Sequence, residues 1–157
     1  MESSAERLYT ILREIVECCQ EGHAIQAQQF GLTTAEARAL VAIRFHNCQT
    51  TADLAEALFV AKSRVTRILD GMVAKSLIQR SEHADDRRLC SIRLTKKGTE
   101  TTSGLMAFIL ELHKDVLSSL PSAERAETLT KLATLNNAMH STRERLRRGD
   151  FSATGLR

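Results

Sequence analysis

The sequence predicts a mainly α-helical chain with one two-stranded β hairpin, and three observations carry that prediction. Apolar residues recur at helical spacing in six separate stretches. Proline occurs once, tryptophan is absent and aromatic residues make up 4% of the chain, a composition poor in helix breakers and in the aromatics that strands favour. Only "KSLIQRSEH" and "RLCSIRLT" alternate with period two, and they flank a charged turn.

Taken in order, Leu8, Ile11, Leu12, Ile15, Val16 and Cys19 form one face of an N-terminal helix. "GLTTAEARALVAIRF" opens a second, in which Thr33 followed by Glu36 has the spacing of a capping box, with Leu40, Val41 and Phe45 as its apolar face. "NCQTT" ends it. Thr50 or Thr51 can then cap a short third helix bearing Ala52, Leu54, Ala55 and Leu58. After "FVA", the residues Val65, Ile68, Leu69, Met72 and Val73 fall at i, i+3, i+4, i+7 and i+8, the stripe expected of a buried helix face.

In the second strand Leu89, Ser91, Arg93 and Thr95 face one way, and Cys90, Ile92 and Leu94 the other. Thr95 can cap a long fifth helix with Leu105, Phe108, Ile109, Leu112 and Val116 on one side. Pro121 stops it, Ser122 can cap a last helix with Leu129, Leu132, Leu135 and Met139, and residues 149–157 read as a flexible tail. Two short helices, a break and a hairpin in mid-chain make a winged helix-turn-helix pattern.

Charge sharpens this. The net charge is only +3, but Val60 to Lys97 holds ten Lys/Arg against Asp70, Glu82, Asp85 and Asp86, which leaves the remaining residues net acidic. A basic centre between mildly acidic arms is the footprint of a polyanion-binding module. With Val65 to Val73 turned inward, Lys62, Ser63, Arg64, Thr66 and Arg67 occupy the first turns or the open side of the fourth helix. The major groove of B-DNA admits an α-helix whose N-terminal residues meet base edges, arginine can bond guanine bidentately, and a helix N-terminus favours phosphate. At the hairpin tip, Arg87 and Arg88 are candidate DNA contacts. Asp86 is placed to orient one of them through a bidentate pair. The plainer alternative, a solvated turn with weak surface pairs, suits Asp85 best.

These residues carry a resemblance. The block "GLTTAEARALVAI…LAEALFVAKSRVTRILDGMVAKSLIQRSEHADDRRLCSIRLTKKG" resembles the MarR family of bacterial transcriptional regulators. The likeness rests on the "KSxVTRxLDxMVxKxLIxR" helix and its exit, the D-x-R at Asp86 to Arg88, and "LTKKG" at the end of the wing. It implies a single domain over 1–157, with a winged helix-turn-helix DNA-binding lobe at 34–98 and a helical dimerisation lobe from 1–30 and 99–148. It further implies a homodimer on a pseudo-palindromic operator, most often a repressor, released by a small-molecule effector or by cysteine oxidation. Where relatives carry Ser as the cap of the recognition helix this chain has Ala61, and Arg64 stands where Thr or Ala is common.

Four cysteines show no metal-finger spacing, the histidines are dispersed, and no catalytic or cofactor motif is present, so neither an enzyme nor a metal site is expected. Cys18 and Cys19 are the redox candidates, with Tyr9, Arg13 and His23 as the nearest groups able to activate them; buried inert thiols are the alternative. No stretch approaches membrane-spanning length and the N-terminus lacks a signal-peptide pattern, giving the expectation of a cytoplasmic protein. A winged-helix module that binds protein partners, or DNA without sequence preference, is the competing function.

Overall fold

A computed structural model describes residues 3–82 and 90–150, with only the backbone of Glu82 and Cys90 described. The order is α1 (Ser4–Gln29), α2 (Thr34–Phe45), α3 (Thr51–Leu58), α4 (Lys62–Ala74), β1 (Ile78–Glu82), β2 (Cys90–Leu94), α5 (Lys96–Ser118) and α6 (Arg125–Arg148). The chain forms two compact units, Met1–Glu111 and Leu112–Arg157, with the boundary inside α5.

Local chemistry sets most helix starts. Thr33 and Glu36 close a reciprocal capping box on α2, with Glu36 N–H to Thr33 Oγ1 at 3.2 Å and Thr33 N–H to Glu36 Oε2 at 2.7 Å. Thr50, rather than Thr51, caps α3, and Asp53 completes its box while also accepting from Gln49 N–H at 3.0 Å. The Thr50 hydroxyl bond, working against slight desolvation and aided by these amides, holds the Asp53 carboxyl below its ordinary range. Thr95 caps α5 by accepting from Gly98 N–H at 2.9 Å.

One expectation is corrected at a helix end. Ser122 does not cap the last helix: Pro121 to Glu124 form a turn closed by Glu124 N–H to Pro121 O at 2.9 Å, and α6 starts at Arg125 without a side-chain cap. Arg125 instead reaches back to Leu120 O and Ser118 O, satisfying carbonyls at the end of α5.

The core of the first unit gathers Leu40 from α2, Leu54 from α3, Val65, Leu69 and Met72 from α4, Ile78 and Ile92 from the hairpin, and Leu105 from α5. Phe30 and Phe108 meet edge to face at 6.1 Å beside it. β1 and β2 pair antiparallel with Arg80 opposite Ile92 and Ser81 opposite Ser91. Ile92 also donates to Gln49 O at 2.8 Å, stitching the hairpin to the entry of α3.

Alternation predicted the faces of β2 correctly: Ile92 is buried and Arg93 exposed. The helix stripes were overdrawn at their edges. Val73 is 43% and Phe45 58% exposed: Val73 lies just past the arc α4 presents to the core, and Phe45 stands on the side of α2 opposite the buried Ala39 and Leu40. Leu8, Ile11, Ile15 and Val16 of α1 are also solvent-facing in the single chain, as are Leu112 and Val116 of α5 and Leu129, Leu132 and Met139 of α6.

Candidate nucleic-acid interface

The site is built on α4. Val65, Ile68, Leu69 and Met72 are buried, while Lys62, Ser63, Arg64, Thr66 and Arg67 are all exposed. A 3.6-residue period divides the helix so that the core fixes its rotation and thereby the side on which the cations stand. Among the described residues, none of Lys62, Arg64 and Arg67 is engaged in an ion pair. Thr66 folds its hydroxyl back onto Lys62 O at 3.2 Å. Ala61 caps the helix in extended conformation without a side-chain bond, its carbonyl accepting from Arg64 N–H at 2.9 Å, so among the described residues no side chain caps the first turn. Cationic side chains beside such N–H groups suit a phosphate oxygen or a guanine edge.

Thr33, Glu36, Ser63, Arg64, Arg67 and Ile68 line an open groove of about 520 Å³ between the start of α2 and the exposed side of α4. Its floor holds a charge that sequence reading assigned only to a cap. Glu36 is 5% exposed and, besides its capping bonds, accepts from Lys75 Nζ at 2.6 Å. Burial works against its charged form, but the Lys75 and Thr33 hydrogen bonds outweigh it and hold the carboxyl below the usual carboxylate range. Lys75 Nζ also donates to Gly31 O at 2.9 Å, so the end of α4 is tied to the start of α2.

The same end is held from the wing side. Thr95 donates its hydroxyl to Ser76 O at 2.7 Å and its N–H to Leu77 O at 3.0 Å, and Lys97 Nζ reaches Lys75 O at 2.9 Å. A Cβ on Gly98 would lie 1.8 Å from Leu77 O, so no other residue fits where α5 passes the exit of α4. This explains "LTKKG": threonine, second lysine and glycine each hold the turn behind the recognition helix. Arg80 of β1 adds a further hold, donating to Asp70 Oδ1 at 2.7 Å and Thr66 O at 3.2 Å.

Asp86, Arg87 and Arg88 lie outside the described residues. Cys18 and Cys19 are exposed on α1, so burial does not make these two thiols inert in the single chain. Arg13, one of the cations considered for activating them, is paired with Glu17 at 2.9 Å. Cys48 is buried, and burial followed by the nearby Asp53 charge pushes its thiol pKa up, toward low reactivity.

With this geometry in hand, the comparisons are direct. Residues 30–89, from just after α1 to just before β2, match the model of the MarR family. That likeness covers 60 of the chain's 157 residues. The fold of the chain is that of solved regulators over most of their length. MepR, a transcription regulator of the Staphylococcus aureus multidrug efflux pump MepA, is 21% identical, with 82% of this chain and 96% of MepR covered and a TM-score of 0.71. The S. aureus MepR–DNA complex gives 22% identity, 83% and 96% coverage and a TM-score of 0.66. The transcriptional regulator Tm0710 from Thermotoga maritima is 25% identical, with 88% and 98% covered and a TM-score of 0.66. The fold is thus shared with solved transcription regulators. No helix among the described residues is long and apolar enough to cross a membrane.

Proposed function

We propose that this chain is a member of the MarR family and a homodimeric, sequence-specific DNA-binding regulator, a cytoplasmic repressor acting at a pseudo-palindromic operator and released by a small-molecule or redox signal. The division of α4, apolar side buried and Lys62, Ser63, Arg64, Thr66 and Arg67 open, is the observation that carries it. Arg64 and Arg67 read base edges, Lys62, Ser63 and Thr66 hold phosphate, and the wing arginines Arg87 and Arg88, aimed by Asp86, extend the contact beyond the major groove. The DNA-binding lobe spans 34–98, and 1–30 with 99–148 supply the dimer.

Dimerisation is supported by the apolar residues left solvent-facing on α1, including Leu8, Ile11, Ile15 and Val16, and on α6. Contiguous apolar surface of this kind is kept soluble by a partner. A two-fold dimer also places two recognition helices about 10 bp apart. Exposure of Cys18 and Cys19 supports the redox form of the release signal.

The test is enrichment from a pool of randomised duplexes, followed by binding to the enriched sequence and to an unrelated duplex across a salt series. A two-fold-symmetric enriched sequence, bound far more tightly than the unrelated duplex, is the expected result. Equal binding to both assigns the basic face to nonspecific DNA or protein partners instead. Light scattering should give a dimer mass, and removal of α1 or of α6 should yield monomer or aggregate; a soluble, operator-binding monomer contradicts the dimer.

A further inference from the structure

An α-helix seated in the major groove of a duplex fills it, since the groove is about 12 Å wide and a helix with its side chains about 10–12 Å across. The two sugar–phosphate strands therefore run along the two flanks of the helix. In α4 those flanks differ. Thr66 stands about 200° round the helix from Arg64, and its flank is filled by Arg80 of β1, which donates to Thr66 O and Asp70 Oδ1. The Arg64 flank is open. There the groove of about 520 Å³ brings Thr33 and Glu36 of the α2 start together with Ser63, Arg64, Arg67 and Ile68.

Two hydroxyl groups in that groove keep a proton to donate. Thr33, the cap of α2, uses its oxygen to accept from Glu36 N–H at 3.2 Å. A hydroxyl that accepts still has one O–H to give. Among the described residues, neither the Thr33 nor the Ser63 hydroxyl donates to the protein, and both residues are exposed. Thr66 shows the contrast, its hydroxyl turned back onto Lys62 O. Arg64 and Arg67 are exposed and enter no ion pair among the described residues. The acid in the lining, Glu36, presents little charge to the groove: it is buried and met by Lys75 Nζ at 2.6 Å and Thr33 N–H at 2.7 Å. Two hydroxyl donors and two cations around a space on the flank of the helix suit an anion with several acceptor oxygens.

We propose that this groove seats one backbone phosphate of the bound duplex, and that Thr33 is a DNA-binding residue, donating its hydroxyl to that phosphate together with Ser63. The assignment rests on the DNA-binding function proposed above. It extends the contact surface from α4 and the wing to the start of α2.

The test uses the full-length chain and the duplex it enriches, with single phosphates neutralised in turn as methylphosphonates. Wild type should lose about tenfold in affinity at one position in each half-site, the worth of one hydrogen bond to a charged group. Thr33→Ser keeps both cap and donor and should match wild type. Thr33→Asp keeps the cap but replaces the donor by a negative charge. It should melt close to wild type, bind the enriched duplex about tenfold more weakly or worse, and lose no further affinity when that one phosphate is neutralised. Ser63→Ala breaks no side-chain hydrogen bond among the described residues, and should lose affinity through the same phosphate. A Thr33→Asp variant that binds as tightly as wild type, or more weakly with the wild-type methylphosphonate profile intact, overturns the seat. Loss through different phosphates in the Thr33 and Ser63 variants overturns it as well. A wild type that enriches no sequence overturns the DNA-binding function itself, and this proposal with it.

Discussion

At its C-terminal end α4 is gripped from α2 and from the start of α5 with its cap: Glu36 on Lys75, Thr95 and Lys97 on the carbonyls of Ser76 and Lys75, and Gly98 against Leu77. At its N-terminal end Ala61 offers no cap bond, and the cations of the first turns point to solvent. One helix is therefore locked where it leaves the lobe and bare where it would meet a ligand. Satisfying the rear polar groups fixes the helix in place, and leaving the front cations without ion pairs among the described residues keeps them for a partner. The contrast also explains why a long-range ion pair sits at the rear. A buried charge on Glu36 is tolerated only because Lys75 and the Thr33 amide meet it together.

The largest expected effect breaks the locked end. Gly98→Ala drives a methyl into Leu77 O, which is backbone and cannot step aside, so it should cost about 3 kcal/mol or more in chemical denaturation, if the variant folds at all. Next is the ion pair. Lys75→Met should cost about 2 kcal/mol, less than loss of a fully buried partner because the Lys75 side chain is 38% exposed.

The pair also sets a pH dependence. The folded Glu36 carboxyl titrates below its ordinary value of 4.5. Its contribution is therefore complete above that value and is lost as pH falls through the lower folded pKa. Acid unfolding curves should show this loss in wild type and a shallower slope in Glu36→Gln; identical slopes would remove Glu36 from the account.

The smallest effect sharpens the bare end. Ala61→Ser restores a side-chain cap on α4 and should raise stability by about 1 kcal/mol in thermal or chemical unfolding. Because the serine oxygen competes for the same first-turn N–H groups, affinity for the enriched duplex should not rise with stability. A parallel gain in both would show that those N–H groups take no part in binding.

Much of this was legible in the sequence, and the division follows the range of each interaction. Caps act over three residues, so Thr33 with Glu36 and Thr95 with Gly98 could be read from spacing. Periodicity named Val65, Ile68, Leu69 and Met72 as the buried side of α4, and with it the exposed cations. It failed at Val73 because a stripe predicts a direction, not how wide an arc the neighbours cover. The link from Glu36 to Lys75 spans 39 residues, and no local pattern announces it. Gly98 could be quoted as part of a motif, but its necessity appears only once α5 is seen to pass within contact of Leu77 O. The left-handed turn at Phe59 that ends α3 was equally hidden, since "FVA" reads as any short break.

The central claim is that the open side of α4 reads sequence. Its most direct test is the affinity of wild type and Arg67→Ala for the enriched duplex and for its single-base variants, measured at matched salt. Arg67→Ala should flatten discrimination at one operator position by about 1–3 kcal/mol while leaving unrelated duplex only slightly weakened. Equal weakening on every duplex, with discrimination intact, would make Arg67 a phosphate contact alone and contradict base reading by that residue.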